Sequence, residues 1–252
     1  MRLCEALDFG DKEVVALTGA GGKTSAMYLL GWELAQERKR TILTTTTRIF
    51  PPGPQDADGL IEEGCLAALV EGVQKSGACR LVVSRRHGPD GKLRGIPPEW
   101  VESLSRLEGI AGVVVEADGA AGRSIKSPLE HEPVIPPCAS LVVPVAGIDA
   151  VGRPLDRGIA HRPERVARLT GLSLGDEITS LAVAQVLLHP QGNIKGIDPS
   201  GVRVVPLINK VDGPRELEKA REVGHHLLAL GATRVILASL AGTEPVVEVL
   251  AP

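Results

Sequence analysis

A β-branched apolar run, Val14 to Thr18, passes without a break into Gly19-Ala20-Gly21-Gly22-Lys23-Thr24-Ser25 and then into a helical pattern. No other feature constrains the fold of this chain so tightly. Strand, glycine-rich turn and helix in that order build a cradle for a phosphate group. Glycines let backbone N–H groups turn toward an anion, and the helix N-terminus adds its partial positive charge. Lys23 is then expected to reach the β- and γ-oxygens of a nucleotide, and Thr24 to ligate Mg²⁺.

The longer pattern G-x-x-x-x-G-K-[ST] is not met, because its first glycine would fall at Leu17. The shorter form T-G-x-x-G-K-T-S resembles the loops of Mur-type ligases. The rest of the chain repeats the same rhythm. Val14–Thr18, Thr41–Thr45, Arg80–Val83, Gly112–Glu116, Leu141–Ala146, Arg203–Ile208 and Arg234–Ala238 read as strands. Most are apolar on both faces, which suits a parallel sheet covered on each side. Helices are expected over Thr24–Glu37, Leu60–Gln74, Pro98–Leu107, Arg162–Leu172, Glu177–Leu188 and Pro214–Leu230. This alternation predicts an α/β fold, a P-loop NTPase-like three-layer sandwich with a mostly parallel central sheet. At 252 residues the chain is read as a single nucleotide-binding domain over 1–252, with a helical insertion at about 147–200. Pro51–Gly59 and Gly119–Pro137 break the rhythm and read as irregular, functional loops.

Composition excludes several other classes. A net charge of -3 gives no reason to expect a nucleic-acid partner, and five aromatic residues are too few for single-strand stacking platforms. Cys4, Cys65, Cys79 and Cys138 form no C-x-x-C pair, so neither structural zinc nor a redox pair is expected. No apolar run approaches the ~18 residues of a membrane span, and the N-terminus lacks a signal-peptide core; the expectation is a cytoplasmic protein away from membranes.

Three further segments point to nucleotide chemistry. The second strand ends in Thr44-Thr45-Thr46-Thr47-Arg48, where Thr46 or Thr47 is expected near Mg²⁺ and Arg48 near the γ-phosphate, because ligands of open α/β sheets lie beyond the carboxyl ends of strands. Val113-Val114-Val115-Glu116-Ala117-Asp118-Gly119 has the form of a Walker B segment, with Glu116 and Asp118 holding the metal and orienting an attacking water. Asn209-Lys210-Val211-Asp212 matches the N-K-x-D signature of GTP-binding proteins. Guanine presents N1–H and N2–H₂ side by side, so one carboxylate accepts both, whereas adenine would leave Asp212 unpaired. Ser239, in Ala238-Ser239-Leu240, is similar to a second guanine-contacting loop. If Asn209–Asp212 serves only as a loop cap, the base is adenine.

Taken together, TGAGGKTS, TTTTR, VEADGAAGRSIKSPLEHEPVIP, GIDAVGRPLD, HRPERVARLTG, HPQGNIKG and PLINKVD resemble the YqeC family, accessory proteins of selenium-dependent molybdenum hydroxylases. The resemblance spans roughly residues 14 to 212. It implies a P-loop protein that helps mature a selenium-containing molybdenum cofactor or hydroxylase. It also implies a second cluster beside the nucleotide: Arg123, Lys126, Glu130, His131, Glu132, Asp149, Arg153, His161, Arg162 and Lys195. Its cations and histidines are suited to an anionic group. His225 and His226 read as a solvated helix pair. The leading expectation is a Mg²⁺-dependent nucleoside triphosphatase using GTP, or else ATP. The alternatives are a kinase or ligase acting on a small anionic acceptor and a nucleotide-gated chaperone with little turnover. The partners expected are the nucleotide, a molybdenum hydroxylase or molybdenum-cofactor intermediate, and a second copy of the chain.

Overall fold

The computed structural model describes residues 1–198 and 201–252. Fourteen strands are present among them: β1 (Glu13–Gly19), β2 (Arg40–Thr45), β3 (Arg48–Ile49), β4 (Gly59–Glu62), β5 (Arg80–Ser84), β6 (Leu93–Arg94), β7 (Ile110–Glu116), β8 (Ile125–Lys126), β9 (Leu141–Gly147), β10 (Ala160–His161), β11 (Arg203–Val204), β12 (Leu207–Asn209), β13 (Val235–Ala238) and β14 (Val246–Leu250). The helices are α1 (Leu3–Ala6), α2 (Lys23–Gln36), α3 (Leu66–Lys75), α4 (Trp100–Ser105), α5 (Pro163–Thr170), α6 (Ser180–Leu188) and α7 (Pro214–Ala229).

The main sheet runs β14-β13-β12-β9-β1-β7-β2-β5-β4, and every pair in it is parallel except β13 with β14. Side-chain alternation sends Val15 and Leu17 of β1 into one apolar layer with Met27, Leu30 and Leu34 of α2. Val14 and Ala16 go into the opposite layer with Leu69 and Val73 of α3 and Val101 and Leu104 of α4. Both faces of β1 are thus covered, as its unbroken apolar run requires. The fold is α/β, a mostly parallel sheet between helical layers, consistent with a P-loop-like sandwich. No helix among the described residues is long and apolar enough to cross a membrane.

The structure corrects several element boundaries. The helix expected from Leu60 begins at Leu66, because Gly59–Glu62 instead pairs in parallel with Leu81–Ser84. The strand expected over Arg203–Ile208 is split into β11 and β12. Between them Pro206 has no N–H to give a ladder, and only its carbonyl is used, by Ile236 N–H. β14 was not foreseen; it closes the sheet edge antiparallel to β13. The irregular span Gly119–Pro137 contains β8, which pairs with β10 from the expected insertion. α5 and α6 lie within that insertion, and their Val166, Val183 and Val186 share one apolar cluster with Ile208 and Leu237 of the sheet. Its expected far boundary, Pro199 and Ser200, lies outside the described residues.

Candidate functional site

The carboxyl ends of β1, β7, β2 and β12 open into one cleft of about 580 Å³, within the roughly 300–1,000 Å³ range of small-molecule sites. Its walls include Gly21 to Ser25, Arg48, Glu116, Arg123, Asn209, Lys210 and Asp212. Four segments singled out separately in the sequence therefore meet at one place.

The phosphate loop is held by its own surroundings. Gly19, Gly21 and Gly22 have φ of 87°, 79° and 146°, a region open to glycine and strained for other residues. Gly19 N–H donates to Asp118 Oδ2 at 3.1 Å, Ala20 N–H to the Val145 carbonyl at 2.9 Å, and Gly21 N–H to the Arg123 carbonyl at 2.9 Å. These three amides, expected to face a ligand, are spent on shaping the loop. The amides left for an anion are those of the first turn of α2. That helix opens at Gly22 with no side-chain cap, and a helix leaves its first four N–H groups without intrahelical partners.

A methyl group on Gly21 would lie 2.9 Å from both Gly147 Cα and the Ser124 carbonyl. Gly21→Ala is accordingly expected to cost about 1–3 kcal/mol through the backbone conformation alone. It should also displace the loop enough to lose triphosphate binding, read by a melting curve beside a calorimetric titration.

Lys23 is buried and folded back. Its Nζ donates to the Gly19 carbonyl at 2.5 Å, lies 3.1 Å from Asp118 Oδ1 and stands 4.0 Å from Glu116 Oε1. The Thr24 hydroxyl donates to Glu116 Oε2 at 2.6 Å. Burial pushes the Glu116 carboxyl above its ordinary range, while Lys23 and the Thr24 hydroxyl pull it back down. A hydroxyl and a buried carboxylate facing each other at the mouth of a phosphate loop are a fitting donor set for Mg²⁺. That ion takes few protein ligands and completes its shell with phosphate and water.

Asp118 and Thr46, the other expected metal ligands, are placed differently. Asp118 is fully buried behind the loop, where it receives Gly19 N–H and pairs with Lys23 and with Lys126 at 3.0 Å. Its geometry is that of a loop anchor. The Thr46 hydroxyl donates to the Val134 carbonyl at 2.7 Å, and the Thr45 and Thr47 hydroxyls pair with each other at 3.2 Å. Position at a strand end was read correctly, but the local hydroxyl partners could not be.

At the other end of the cleft, Asn209 ties the Asn209–Asp212 segment to the glycine-rich loop. Its Nδ2 donates to the Gly21 carbonyl at 2.8 Å, and its Oδ1 accepts Leu240 N–H at 3.0 Å. Ser239 Oγ donates to Asp212 Oδ1 at 2.6 Å, which orients the exposed carboxylate. Lys210, at φ 66°, donates to Ser124 Oγ at 2.7 Å and Asp149 Oδ2 at 2.8 Å.

The second cluster divides in two. Arg123 lines the cleft. Lys126 is fully buried and does not; it bridges Asp118 and Glu132, each at 3.0 Å, and also reaches the Gly119 carbonyl at 2.7 Å. Arg162 grips Glu132 through two nitrogens at 2.6 and 3.2 Å. Burial alone would raise the Glu132 carboxyl, but Arg162 and Lys126 hold it down to about 2. The chain from Lys23 through Asp118, Lys126 and Glu132 to Arg162 is thus an internal ion network rather than an open anion pocket. Burial, with Arg162 and Lys126 nearby, pulls His161 below its usual value and keeps its imidazole neutral at pH 7. His131 and Arg153 are exposed and outside the cleft walls, as is His225 on α7; its neighbour His226 is half-buried and also outside them. Lys195 donates to the carbonyls of Leu129 and Glu130, the latter at 2.9 Å, and so braces that loop; Glu130 pairs with Arg165 at 2.9 Å.

Three residues the sequence did not single out belong to the site. Phe50 and Lys92 line the cleft beside Arg48. Asn193 is buried beneath the phosphate loop, its amide N and O without hydrogen-bonding partners among the described residues, and a methyl on Gly19 would lie 3.0 Å from its Nδ2. An exposed aromatic directly after a strand was the available signal for Phe50. Asn193 offered none beyond its place in HPQGNIKG.

A family model described as YqeC protein matches residues 15–164. A curated relative from Escherichia coli (strain K12), named "Uncharacterized protein YqeC", is 29% identical over 197 residues, which cover 78% of this chain and 75% of the relative.

Proposed function

The chain belongs to the YqeC family, and we propose that it is a Mg²⁺-dependent nucleoside triphosphatase with GTP as its nucleotide, serving as an accessory in maturation of a selenium-containing molybdenum cofactor or hydroxylase. The maturation role rests on the family resemblance. The nucleotide reading is carried by one observation: the uncapped start of α2, the Thr24–Glu116 pair and Asp212 all border the same cleft. A triphosphate laid along it has its base at Asp212 and its terminal phosphate at the first turn of α2. Lys23 would then exchange the Gly19 carbonyl for phosphate oxygens, and Thr24 and Glu116 would hold a Mg²⁺ ion, which would supply neutralisation of the developing charge. Glu116 would orient the attacking water, and Arg48 would face the γ-phosphate from the β2 side.

The test is calorimetric titration with GTP and with ATP, each with Mg²⁺. GTP is expected to bind at least about a hundredfold tighter, because guanine gives Asp212 two N–H donors side by side and adenine gives it none. Equal affinities overturn the guanine assignment. Asp212→Asn is expected to shift preference toward xanthine nucleotides, since it replaces an acceptor by a donor. A second reading, transfer to a small anionic acceptor, is favoured by the Phe50 and Lys92 wall of the cleft.

A further inference from the structure

We propose that the cleft contains a second subsite, on the β2 side of the phosphate loop, for a planar aromatic ring bearing a phosphate or carboxylate group. It deepens the nucleotide reading and rests on it. The sheet order sets the geometry. β12, which leads into Asn209–Asp212, stands two strands from β1 through β9; β2, which leads into Arg48 and Phe50, stands two strands from β1 on the other side, through β7. At roughly 4.8 Å per strand, each end is about 10 Å from the phosphate loop. Both ends line one cleft. A nucleotide running from Asp212 to Lys23 and Glu116 leaves the Phe50 end for another molecule.

The residues there have the chemistry of a stacking site. Phe50, one of only five aromatic residues in the chain, is 67% exposed. It does not sit on a loose loop. Ile49 before it is buried, β3 pairs with β6, Gly95 N–H extends that ladder to the Thr47 carbonyl at 2.6 Å, and Arg85 N–H, just after β5, donates to the Arg94 carbonyl at 2.9 Å. A rigidly presented, solvated ring is a ready platform for another π-system. Lys92 Nζ lies 4.5 Å from the ring centroid, and Arg48, which lines the same cleft, pairs with Asp90 at 3.3 Å. A lysine at one exposed ring matches a ligand that is flat and negatively charged.

The experiment uses the full chain and two fluorescent probes, 1-naphthyl phosphate and flavin mononucleotide. Each is titrated with Mg²⁺, with and without a saturating non-hydrolysable GTP analogue. 1-Naphthol, riboflavin and inorganic phosphate serve as the half-ligands. At least one probe is expected to bind with the analogue in place, and its half-ligands to bind about tenfold weaker or worse. Phe50→Ala and Lys92→Ala are each expected to weaken the probe about tenfold, and the analogue by a smaller factor. Three results overturn the subsite: neither probe binding, probe affinity unchanged in both variants, or probe and analogue weakened by the same factor, which would assign Phe50 and Lys92 to the nucleotide itself. Absence of any analogue binding overturns the nucleotide reading instead, and the analogue-free titrations then decide the subsite separately.

Discussion

Lys23→Ala is expected to lower affinity for a magnesium triphosphate by at least about a hundredfold, since charge-assisted hydrogen bonds contribute about 1.5–3 kcal/mol each and Lys23 can give more than one to a triphosphate. The structure adds a consequence that the sequence alone could not supply. Lys23 is already an interior cation, lying 3.1 Å from Asp118 and 4.0 Å from Glu116. Removing it takes away an attraction that holds the Glu116 carboxyl down, so burial pushes that carboxyl higher still. Asp118 keeps Lys126 and the Gly19 N–H, so the phosphate loop retains an anchor. The variant should therefore remain folded with a lower melting temperature while losing the ligand. Affinity is to be measured by calorimetry well below the melting transition, with far-UV circular dichroism as the fold control. Triphosphate affinity equal to that of the unaltered protein would remove the phosphate-loop assignment.

Glu132→Gln is expected to produce the largest loss of stability, about 3–5 kcal/mol at pH 7. The carboxylate accepts from Lys126 and Arg162 and also from Leu129 N–H at 3.3 Å. A neutral amide leaves two cations facing a group without charge, one of them fully buried. The pH dependence has a definite sign. The folded carboxyl, at about 2, lies below its ordinary value of 4.5, so its contribution is complete above about pH 4.5 and is lost as pH falls through about 2. Denaturation curves from pH 7 down to pH 3 should show a wide gap between the two proteins that narrows below pH 4.5. A gap that stays constant over that range would mean that Glu132 is not held as an ionised acceptor.

Glu132 also shows where sequence reading stopped. The sequence alone was sufficient for the α/β class and for the strand-to-helix settings of Gly19–Ser25 and Asn209–Asp212. Each of these is local: apolar runs fix strands, Gly19–Ser25 can hardly be anything but a strand-to-helix turn, and Asn209–Asp212 follows directly from a strand. Boundaries failed where pairing outweighed pattern, as in Gly59–Glu62, which becomes a strand because β5 lies beside it.

Side-chain roles failed where a charge has more than one candidate partner. From sequence, Lys126 and Arg162 read as free cations awaiting an anion. In the fold, the pairing of β8 with β10 brings them to Glu132, and the closeness of β7 to β1 brings Asp118 to Lys23 and Lys126. The opposite happened at Phe50, whose place in the sequence is ordinary and whose exposure beside Lys92 depends on a two-residue ladder with β6. The sequence determined where strand, glycine turn and helix follow one another, because glycine conformations and strand periodicity are properties of neighbouring residues. Only the tertiary structure decided which charges neutralise one another and which face the cleft, because Coulomb partners are chosen by distances between segments far apart along the chain.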